Sequence, residues 1–430
     1  MRRLSTTDPG FEADFQAFLA APRDRTQDVH TEVAAIISDV RARGDAALID
    51  YTARFDNLAL TPERLRITDT EIQAAIASTP TQLLDAVDIA ATRIEAFHRA
   101  QMPTDLRMND AAGLTLGIRW TSLDAVGIYV PGGKAAYPSS VLMGAIPARI
   151  AAVERIAMCV PSPHGALNPL VLAAAHRAGV TEVYRLGGAQ AIAALAYGTA
   201  SIPAVDRVVG PGNAYVAEAK RQVFGQVGID SIAGPSEVVV LADATQNPRC
   251  IAIDLLAQAE HDESAQAILV TDSSELAEAV VAAVAEELST LPRATIASES
   301  WASHGAIILV RSWDEAAALV NRLAPEHLQL MLTDPEPVFA RIRHAGAVFL
   351  GAFCPEALGD YAAGPNHVLP TARTARFASG LSIFDFLKRT TWISGDQSAL
   401  QKLGPTVVAL ADAEGLHAHA RSITHRLKQN

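Results

Sequence analysis

Strand-like and helix-like segments alternate along the middle of this chain, and this alternation constrains its fold more than any other feature. A β-branched run at 125–130 predicts a buried strand, and a helical pattern follows at 139–153. The alternation continues to about residue 224, and a second series of similar style begins at 236. Repeated strand–helix–strand units predict parallel sheets with helices on both faces. We therefore expect two related α/β domains, with ligands in a cleft at the carboxyl ends of strands.

The segments on either side of the two series are predicted to be mainly helical. Thr68-Asp-Thr-Glu71 matches a capping box, and Asn247-Pro248 places a capping side chain before a proline at the first helical position. Residues 1–25 are polar with a short helical patch, and no strand series follows Ser382. The C-terminal tail is therefore predicted to be a small separate element that is free to reach a neighbouring subunit.

Composition excludes several classes of protein. The 430 residues are 50% hydrophobic, which allows two or three domains with sizeable cores. A net charge of -12 without a long basic run argues against nucleic acid or an anionic membrane as the main partner. No stretch is apolar over the roughly 18 residues that a membrane span needs. The cysteines are scattered without metal-ligand spacing, which is typical of a protein in the reducing cytoplasm.

Pro325-Glu326-His327 is the candidate catalytic pair. The proline disfavours a helical conformation at the residue before it, so the preceding helix is predicted to end there. The imidazole of His327 can take a proton near neutral pH, and the carboxylate of Glu326 can hold or activate a water. Most isolated Pro-Glu-His sequences are solvated surface turns, which is the alternative interpretation.

Three glycine-rich turns follow strands of the first series: Pro131-Gly-Gly133, Leu186-Gly-Gly-Ala-Gln190 and Val209-Gly-Pro-Gly-Asn213. Glycine lets the backbone approach a bound group, and a helix N-terminus favours phosphate. Tyr129, Gln190 and Asn213 stand where side chains would reach a nucleotide. The alternative is that these are ordinary strand-to-helix turns. Neither G-x-G-x-x-G nor a P-loop is present, so a dinucleotide would bind in a non-standard way.

A metal site is indicated by polar side chains in three regions of the sequence. Gln258 and His261 are three residues apart near a predicted helix end, so they share a face. Histidine is a common zinc ligand, whereas glutamine is an uncommon one. Asp360 lies in a glycine-rich loop with His367. The other candidates are His417 and His419 near the C-terminus, with Glu260 and Asp262 equally suitable as oxygen ligands by spacing alone.

Together these motifs resemble the histidinol dehydrogenases, the last enzymes of histidine biosynthesis. The resemblance covers almost the whole chain and includes Tyr-Val-Pro-Gly-Gly-Lys (129–134), Gly-Pro-Gly-Asn-Ala-Tyr-Val (210–216), Ala-Gly-Pro-Ser-Glu-Val (233–238), Ala-Gln-Ala-Glu-His (257–261), Ala-Pro-Glu-His-Leu (324–328), Gly-Asp-Tyr-Ala-Ala-Gly-Pro-Asn-His (359–367) and Glu-Gly-Leu-His-Ala-His (414–419).

The resemblance implies a zinc-dependent oxidation of L-histidinol to L-histidine, through L-histidinal, with two NAD+ and water. It assigns Glu326 and His327 as the catalytic acid/base pair and places NAD+ on Tyr129, Gln190 and Asn213. It places one zinc per subunit on Gln258, His261, Asp360 and His419, although manganese or cobalt would suit the same ligands. These four residues, together with Ser236, His327, His367 and Glu414, would surround the substrate.

The resemblance also implies a domain organisation and a homodimer. Residues 26–128 and 236–381 would form a Rossmann-like domain that carries the zinc and the catalytic residues. Residues 129–235 would form an incomplete Rossmann-like NAD-binding domain, and 1–25 a small N-terminal segment. The tail, 382–430, would complete the partner's active site through Glu414 and His419, while His417 is interpreted as a solvated helix position.

Two other functions remain open at this point. A paralogous zinc- and NAD-dependent dehydrogenase of another polar alcohol, such as a sulfonated diol, would share the zinc and catalytic motifs. A nucleotide-binding regulatory protein that has lost catalysis would be expected to lack some of the ligands or the catalytic pair. Zinc content and turnover distinguish these alternatives.

Overall fold

The computed structural model describes residues 1–23, 29–132 and 137–428. The turn predicted at 131–133 therefore lies partly outside the described residues, as do residues 24–25 of the N-terminal segment and 429–430 of the tail. None of the described helices is both long enough and apolar enough to cross a membrane.

The strands are β1 (Arg2–Ser5), β2 (Leu106–Asn109), β3 (Thr115–Ser122), β4 (Ala125–Tyr129), β5 (Arg155–Val160), β6 (Glu182–Arg185), β7 (Arg207–Val209), β8 (Gly228–Ile229), β9 (Glu237–Ala242), β10 (Gln266–Thr271), β11 (Ala306–Leu309), β12 (His327–Met331), β13 (Ala347–Leu350) and β14 (Leu387–Ser394).

The α-helices are α1 (Phe11–Ala20), α2 (His30–Arg43), α3 (Asp45–Asp56), α4 (Pro62–Leu65), α5 (Asp69–Ser78), α6 (Thr81–Arg99), α7 (Pro138–Ile150), α8 (Pro169–Ala178), α9 (Gly188–Tyr197), α10 (Ala214–Val223), α11 (Pro248–Ala259), α12 (Ser274–Leu288), α13 (Ala294–His304), α14 (Trp313–Leu323), α15 (Glu336–Phe339), α16 (Glu356–Tyr361), α17 (Gln397–Ala413) and α18 (His417–Leu427).

Two parallel sheets form the framework, as the alternating pattern predicted. In the described residues, the five-stranded sheet has the order β6-β5-β4-β7-β8, and the six-stranded sheet has the order β1-β11-β10-β9-β12-β13. Both sheets begin at a central strand, extend to one side and then cross to the other, which is the Rossmann-like arrangement. β4 and β9 are the corresponding first strands, and every neighbouring pair in these two sheets is parallel.

Each sheet is covered by apolar side chains on both faces. On the five-stranded sheet, α5 to α8 pack on one face and α2, α3, α9 and α10 on the other. On the six-stranded sheet, α11 to α13 cover one face, and α1 and α14 cover the other. Strands that are buried on both faces must be almost continuously apolar, which explains runs such as Glu237–Ala242.

The packing groups the N-terminal helices differently from the predicted domain organisation. Residues 30–99 contribute their apolar side chains to the cores of the five-stranded sheet, whereas residues 26–128 were predicted to belong with residues 236–381. The reason is that amphipathic helices carry no sequence signal for which sheet they cover. The boundaries of the four predicted parts stay a prediction.

Four of the described strands, β1, β2, β3 and β14, lie outside the two predicted strand–helix series, in segments that were predicted to be mainly helical. β1 adds to the edge of the six-stranded sheet by pairing parallel with β11. In the tail, β14 pairs antiparallel with β3, which also pairs with β2, and this makes a small third sheet. Both β1 and β14 are polar edge strands, so their pairing depends on distant partners rather than on their own hydrophobic pattern.

The local helix signals behave as predicted. Thr68 and Glu71 form the capping box, with Glu71 N–H donating to Thr68 Oγ1 at 3.3 Å and Thr68 N–H donating to Glu71 Oε2 at 3.0 Å. Asn247 caps α11 by accepting a hydrogen bond from the N–H of Arg249 at 2.9 Å. Helix α14 ends at Leu323, and Ala324 takes a left-handed conformation with φ 47°.

Candidate active site

Glu326 and His327 lie at the amino end of β12, directly after the turn that ends α14. Both residues are buried, with 6% and 5% of their surface exposed. This rules out the solvated surface turn as an interpretation of Pro-Glu-His. It also corrects the expected position, because in this sheet the pair lies at the amino ends of the strands and not at the carboxyl ends.

The environment of His327 determines which ring nitrogen is free to react. Nδ1 lies 3.1 Å from the carbonyl oxygen of Glu237, and a carbonyl can only accept, so Nδ1 carries the proton. Nε2 is buried and has no hydrogen-bond partner among the described residues. Burial lowers the pKa of His327 to about 4, although the nearby Asp360 carboxylate opposes this effect. At neutral pH the ring is therefore uncharged, with the Nε2 lone pair available as a base.

Glu237 holds the catalytic pair in place and was not identified from the sequence. Its backbone N–H donates to Glu326 Oε2 at 3.0 Å, and its side-chain Oε2 accepts from the N–H of Glu326 at 3.3 Å. The side chain also forms an ion pair with Arg23 and accepts from the N–H of Ala372 at 3.2 Å. Through its own backbone carbonyl, the same residue fixes the His327 ring.

Two further carboxylates surround His327. Glu356 and Asp360 are four residues apart on α16, so both face the ring, with Glu356 Oε1 3.6 Å from Nδ1 and Asp360 Oδ1 3.8 Å from Nε2. Burial, followed by the charges of Asp360 and Glu326, raises the pKa of Glu356 well above its ordinary value. Burial likewise raises the pKa of Glu326. A pocket with this many carboxylates is suited to a cationic ligand.

His327, Glu356 and Asp360 also form a group that could hold a metal ion, because their ligand atoms all lie within 4.8 Å of one another. Only Asp360 belongs to the metal site implied by the resemblance. The four-residue spacing from Glu356 to Asp360 was the available sequence signal for this group.

Gln258 and His261 lie at the end of α11, as predicted. The Gln258 side chain is buried, and its Oε1 has no partner among the described residues. Nδ1 of His261 lies 3.3 Å from both the backbone carbonyl oxygen and the side-chain Nε2 of Gln258, so the two residues are in direct contact. Both His261 and Asp360 are close enough to His327 to affect its pKa. These side chains therefore belong to one neighbourhood.

His367 and Ser236 are brought to the same region. His367 Nδ1 lies 3.0 Å from the carbonyl oxygen of Asp360, and its Nε2 lies 3.4 Å from the hydroxyl of Ser140 in the first turn of α7. The contact with Ser140 joins the loop after α16 to the five-stranded sheet. Ser236 directly precedes Glu237, the first residue of β9.

The predicted nucleotide residues cluster at the carboxyl edge of the five-stranded sheet. Tyr129 ends β4, and its buried hydroxyl accepts a hydrogen bond from the N–H of Gly188, at the start of α9, at 3.1 Å. Gln190 lies in the first turn of α9, and its buried Oε1 has no partner among the described residues. Asn213 is the exposed N-cap of α10 and accepts from the N–H of Val216 at 3.2 Å.

The glycine turn before Asn213 is held by a buried ion pair. Gly210 has φ 114°, and a Cβ there would lie 2.1 Å from the carbonyl oxygen of Tyr129, so only glycine fits. The ammonium of Lys220 donates to the carbonyl of Gly210 at 3.0 Å and pairs with Asp230. Asp230 in turn accepts from the N–H of Gly210 at 2.7 Å.

The C-terminal residues are not joined to this site within the chain. Glu414 caps the end of α17, and His417 and His419 lie on α18, all with exposed side chains. No hydrogen bond or ion pair in the described part of the chain connects Glu414 or His419 to Gln258, His261 or Asp360. His417 faces Asp412 with 3.2 Å between Nδ1 and Oδ1 and is solvated, as predicted.

The sequence similarity of this chain to known proteins identifies its family. The family model described as histidinol dehydrogenase matches residues 19–427. The chain belongs to the histidinol dehydrogenase family. A histidinol dehydrogenase of Gluconobacter oxydans is 64% identical over 430 residues and is matched over 100% of both chains. Histidinol dehydrogenase of Cereibacter sphaeroides is 59% identical, with 99% of this chain and 98% of the relative covered.

The fold agrees with a solved member of the family. The crystal structure of histidinol dehydrogenase from Elizabethkingia anophelis matches with a TM-score of 0.95 at 37% identity, over 100% of this chain and 98% of that one. The family resemblance and the α/β fold class predicted from the motifs are therefore confirmed. The chain is an oxidoreductase of histidine biosynthesis, and the dehydrogenase of another polar alcohol is not favoured.

Proposed function

We propose that this member of the histidinol dehydrogenase family oxidises L-histidinol to L-histidine, through L-histidinal, with two NAD+ and water, in the cytoplasm. The observation that carries the chemistry is the buried Glu326–His327 pair, in which Nε2 of His327 is unpartnered. A neutral imidazole with a free ring nitrogen is what removal of an alcohol proton requires.

The residues present fit a zinc ion. Gln258 Oε1 is a buried acceptor without a partner among the described residues, which is costly unless something binds it. The carboxylates around His327 are buried close together, and a divalent cation would offset their repulsion. We propose that Gln258, His261 and Asp360 hold zinc together with His419. When bound, zinc supplies a Lewis acid and a template for the substrate's imidazole and amino nitrogens.

The protein side chains divide the proton transfers between them. In the first oxidation, His327 Nε2 takes the hydroxyl proton while hydride leaves the carbinol carbon for NAD+, which gives the aldehyde. Glu326 then takes a proton from water as the water oxygen adds to the aldehyde carbon. Before the second oxidation, His327 releases its first proton to solvent and becomes neutral again. It then takes the remaining hydroxyl proton of the hydrate anion while hydride goes to a second NAD+, which gives the carboxylate.

The remaining assignments concern substrate and cofactor binding. We propose that Ser236, His367 and Glu414 contact the substrate beside the zinc ligands, with the Glu414 carboxylate meeting its ammonium. We propose that Tyr129, Gln190 and Asn213 contact NAD+. The unpartnered Oε1 of Gln190 at the carboxyl edge of the sheet supports this placement.

We propose a homodimer in which the tail of each subunit completes the partner's site. Glu414 and His419 are exposed and unconnected to the other proposed ligands within the described chain, which is expected if they serve a second copy. The exposed apolar side chains of Val407, Leu410 and Leu416 on and beside α17 give this tail an apolar surface for such a contact.

Mixing two inactive variants tests the tail exchange. His327→Asn disables the body of the site and His419→Ala disables the tail. If tails cross, a mixed dimer has one site with both defects and one site with none, so activity returns after co-refolding. If mixed dimers form and stay inactive, the tail serves its own subunit. Formation of NADH from L-histidinol by the zinc-loaded protein tests the reaction itself, and no NADH would refute it.

A further inference from the structure

Three polar groups at the carboxyl edge of the five-stranded sheet are buried without full compensation. Asp56, the last residue of α3, is 8% exposed, and no cation among the described residues influences its carboxylate. The hydroxyl of Ser162 is fully buried and has no partner among the described residues. The amide oxygen of Gln190 is likewise buried and has no hydrogen-bond partner among the described residues. Buried polar groups of this kind are costly unless a ligand satisfies them.

The topology shows which part of a dinucleotide these groups would meet. In the order β6-β5-β4-β7-β8, β4 is the first Rossmann-like strand, β5 the second and β6 the third. In dinucleotide-binding folds, an acidic residue near the end of the second strand hydrogen-bonds the ribose hydroxyl of the adenosine half. Ser162 lies two residues after β5, and its N–H donates to Asp56 Oδ2 at 3.2 Å. Helix α3 therefore brings a carboxylate to the end of the second strand.

We propose that Asp56 accepts a hydroxyl of the adenosine ribose and thereby makes this chain select NAD+ over NADP+, with Ser162 as a second contact. This inference rests on the proposed use of NAD+ and deepens it. A carboxylate is a strong acceptor for a ribose hydroxyl, and it repels the 2′-phosphate of NADP+. In standard dinucleotide-binding folds, the acidic residue follows the G-x-G-x-x-G motif within the strand series. This chain lacks that motif, and Asp56 comes instead from α3, a helix outside the strand series.

Burial raises the pKa of Asp56, and the N–H of Ser162 opposes this effect. A hydroxyl donated by the ribose would favour the ionised form further. The carboxylate therefore gains a partner on cofactor binding without losing its anchor at Ser162.

The test is Asp56→Asn, with NAD+ and NADP+ dissociation constants measured by calorimetry on protein without substrate. The asparagine amide oxygen can keep the hydrogen bond from Ser162, so the loop position is preserved while the charge is removed. The matched control is Asp45→Asn at the other end of α3, where Asp45 accepts from the N–H and hydroxyl of Ser201 at 3.3 and 2.7 Å.

We expect Asp56→Asn to weaken NAD+ binding about tenfold or more, since hydrogen bonds to charged groups are the strong ones. The dissociation constant for NADP+ divided by that for NAD+ should fall by at least the same factor. Asp45→Asn should leave the ratio unchanged. The proposal is wrong if the wild-type protein binds NAD+ but the folded Asp56→Asn variant has the same ratio of NADP+ to NAD+ dissociation constants. In that case Asp56 only anchors the Ser162 loop. Wild-type protein without affinity for NAD+ would overturn the proposed cofactor as well.

Discussion

Replacing Glu326 with glutamine should separate the two oxidations. Glu326 Oε2 accepts the N–H of Glu237 at 3.0 Å, and a glutamine oxygen can keep this bond because the side chains have the same shape. The variant therefore loses the base and little else. A positioned base contributes about 10²–10⁴-fold in rate, so oxidation of L-histidinal to L-histidine should slow by that factor. Oxidation of L-histidinol to the aldehyde should change by less than about tenfold, or about 1.4 kcal/mol.

The assay measures each half-reaction by itself. Single-turnover NADH formation from L-histidinol with zinc-loaded enzyme reports the first oxidation, and NADH formation from added L-histidinal reports the second. His327→Asn is the comparison variant, because its missing Nε2 base should slow both half-reactions by about 10²–10⁴-fold. Equal losses in both half-reactions for Glu326→Gln would refute the assigned division between the two residues.

Three other substitutions test the framework of the site. Glu237→Gln leaves Arg23 as an unpaired, largely buried cation, so the free energy of unfolding in urea should fall by about 3–5 kcal/mol. Adding Arg23→Met should recover part of this loss. Additive losses in the double variant would contradict the pairing. Gly210→Ala should lower stability and NAD+ affinity more than Gly225→Ala. Both glycines have positive φ, but of the two only Gly210 would place a Cβ against backbone, 2.1 Å from the carbonyl oxygen of Tyr129. Equal effects would exclude that clash. Burial opposes ionisation of Asp243, but hydrogen bonds from two threonines outweigh it and lower the pKa of Asp243 from 3.8 to about 2. Ionised Asp243 therefore stabilises the folded protein fully above pH 3.8, and this contribution is lost as the pH falls through about 2. Asp243→Asn should flatten the pH dependence of unfolding in that window, and an unchanged profile would contradict this.

Much of the framework could be predicted because local physics dictates it. The strand–helix alternation, the capping box at Thr68 and the helix end at Ala324 each depend on a few adjacent residues. The glycine at 210 follows from a backbone conformation and a close approach that other residues cannot accommodate. Features of this kind leave a readable pattern in a single sequence.

The parts that could not be predicted depend on contacts between distant residues. β14 is largely exposed and polar, and its pairing with β3 spans more than half the chain. Glu237 lies in the Ala-Gly-Pro-Ser-Glu-Val motif, but nothing in that motif indicates its role, and Glu356 lies outside the motifs. The significance of both residues comes from meeting His327 in space. The catalytic pair lies at the amino end of β12 beside the start of β9, so the site departs from the general rule that ligands bind at the carboxyl ends of strands.

The most direct test of the central claim is the amount of NADH formed for each L-histidinol consumed, with and without a chelator. We expect two NADH for each L-histidinol, with formation abolished by the chelator and restored by zinc. One NADH with release of free aldehyde would contradict the water step assigned to Glu326. No NADH from zinc-loaded protein would contradict the proposed reaction.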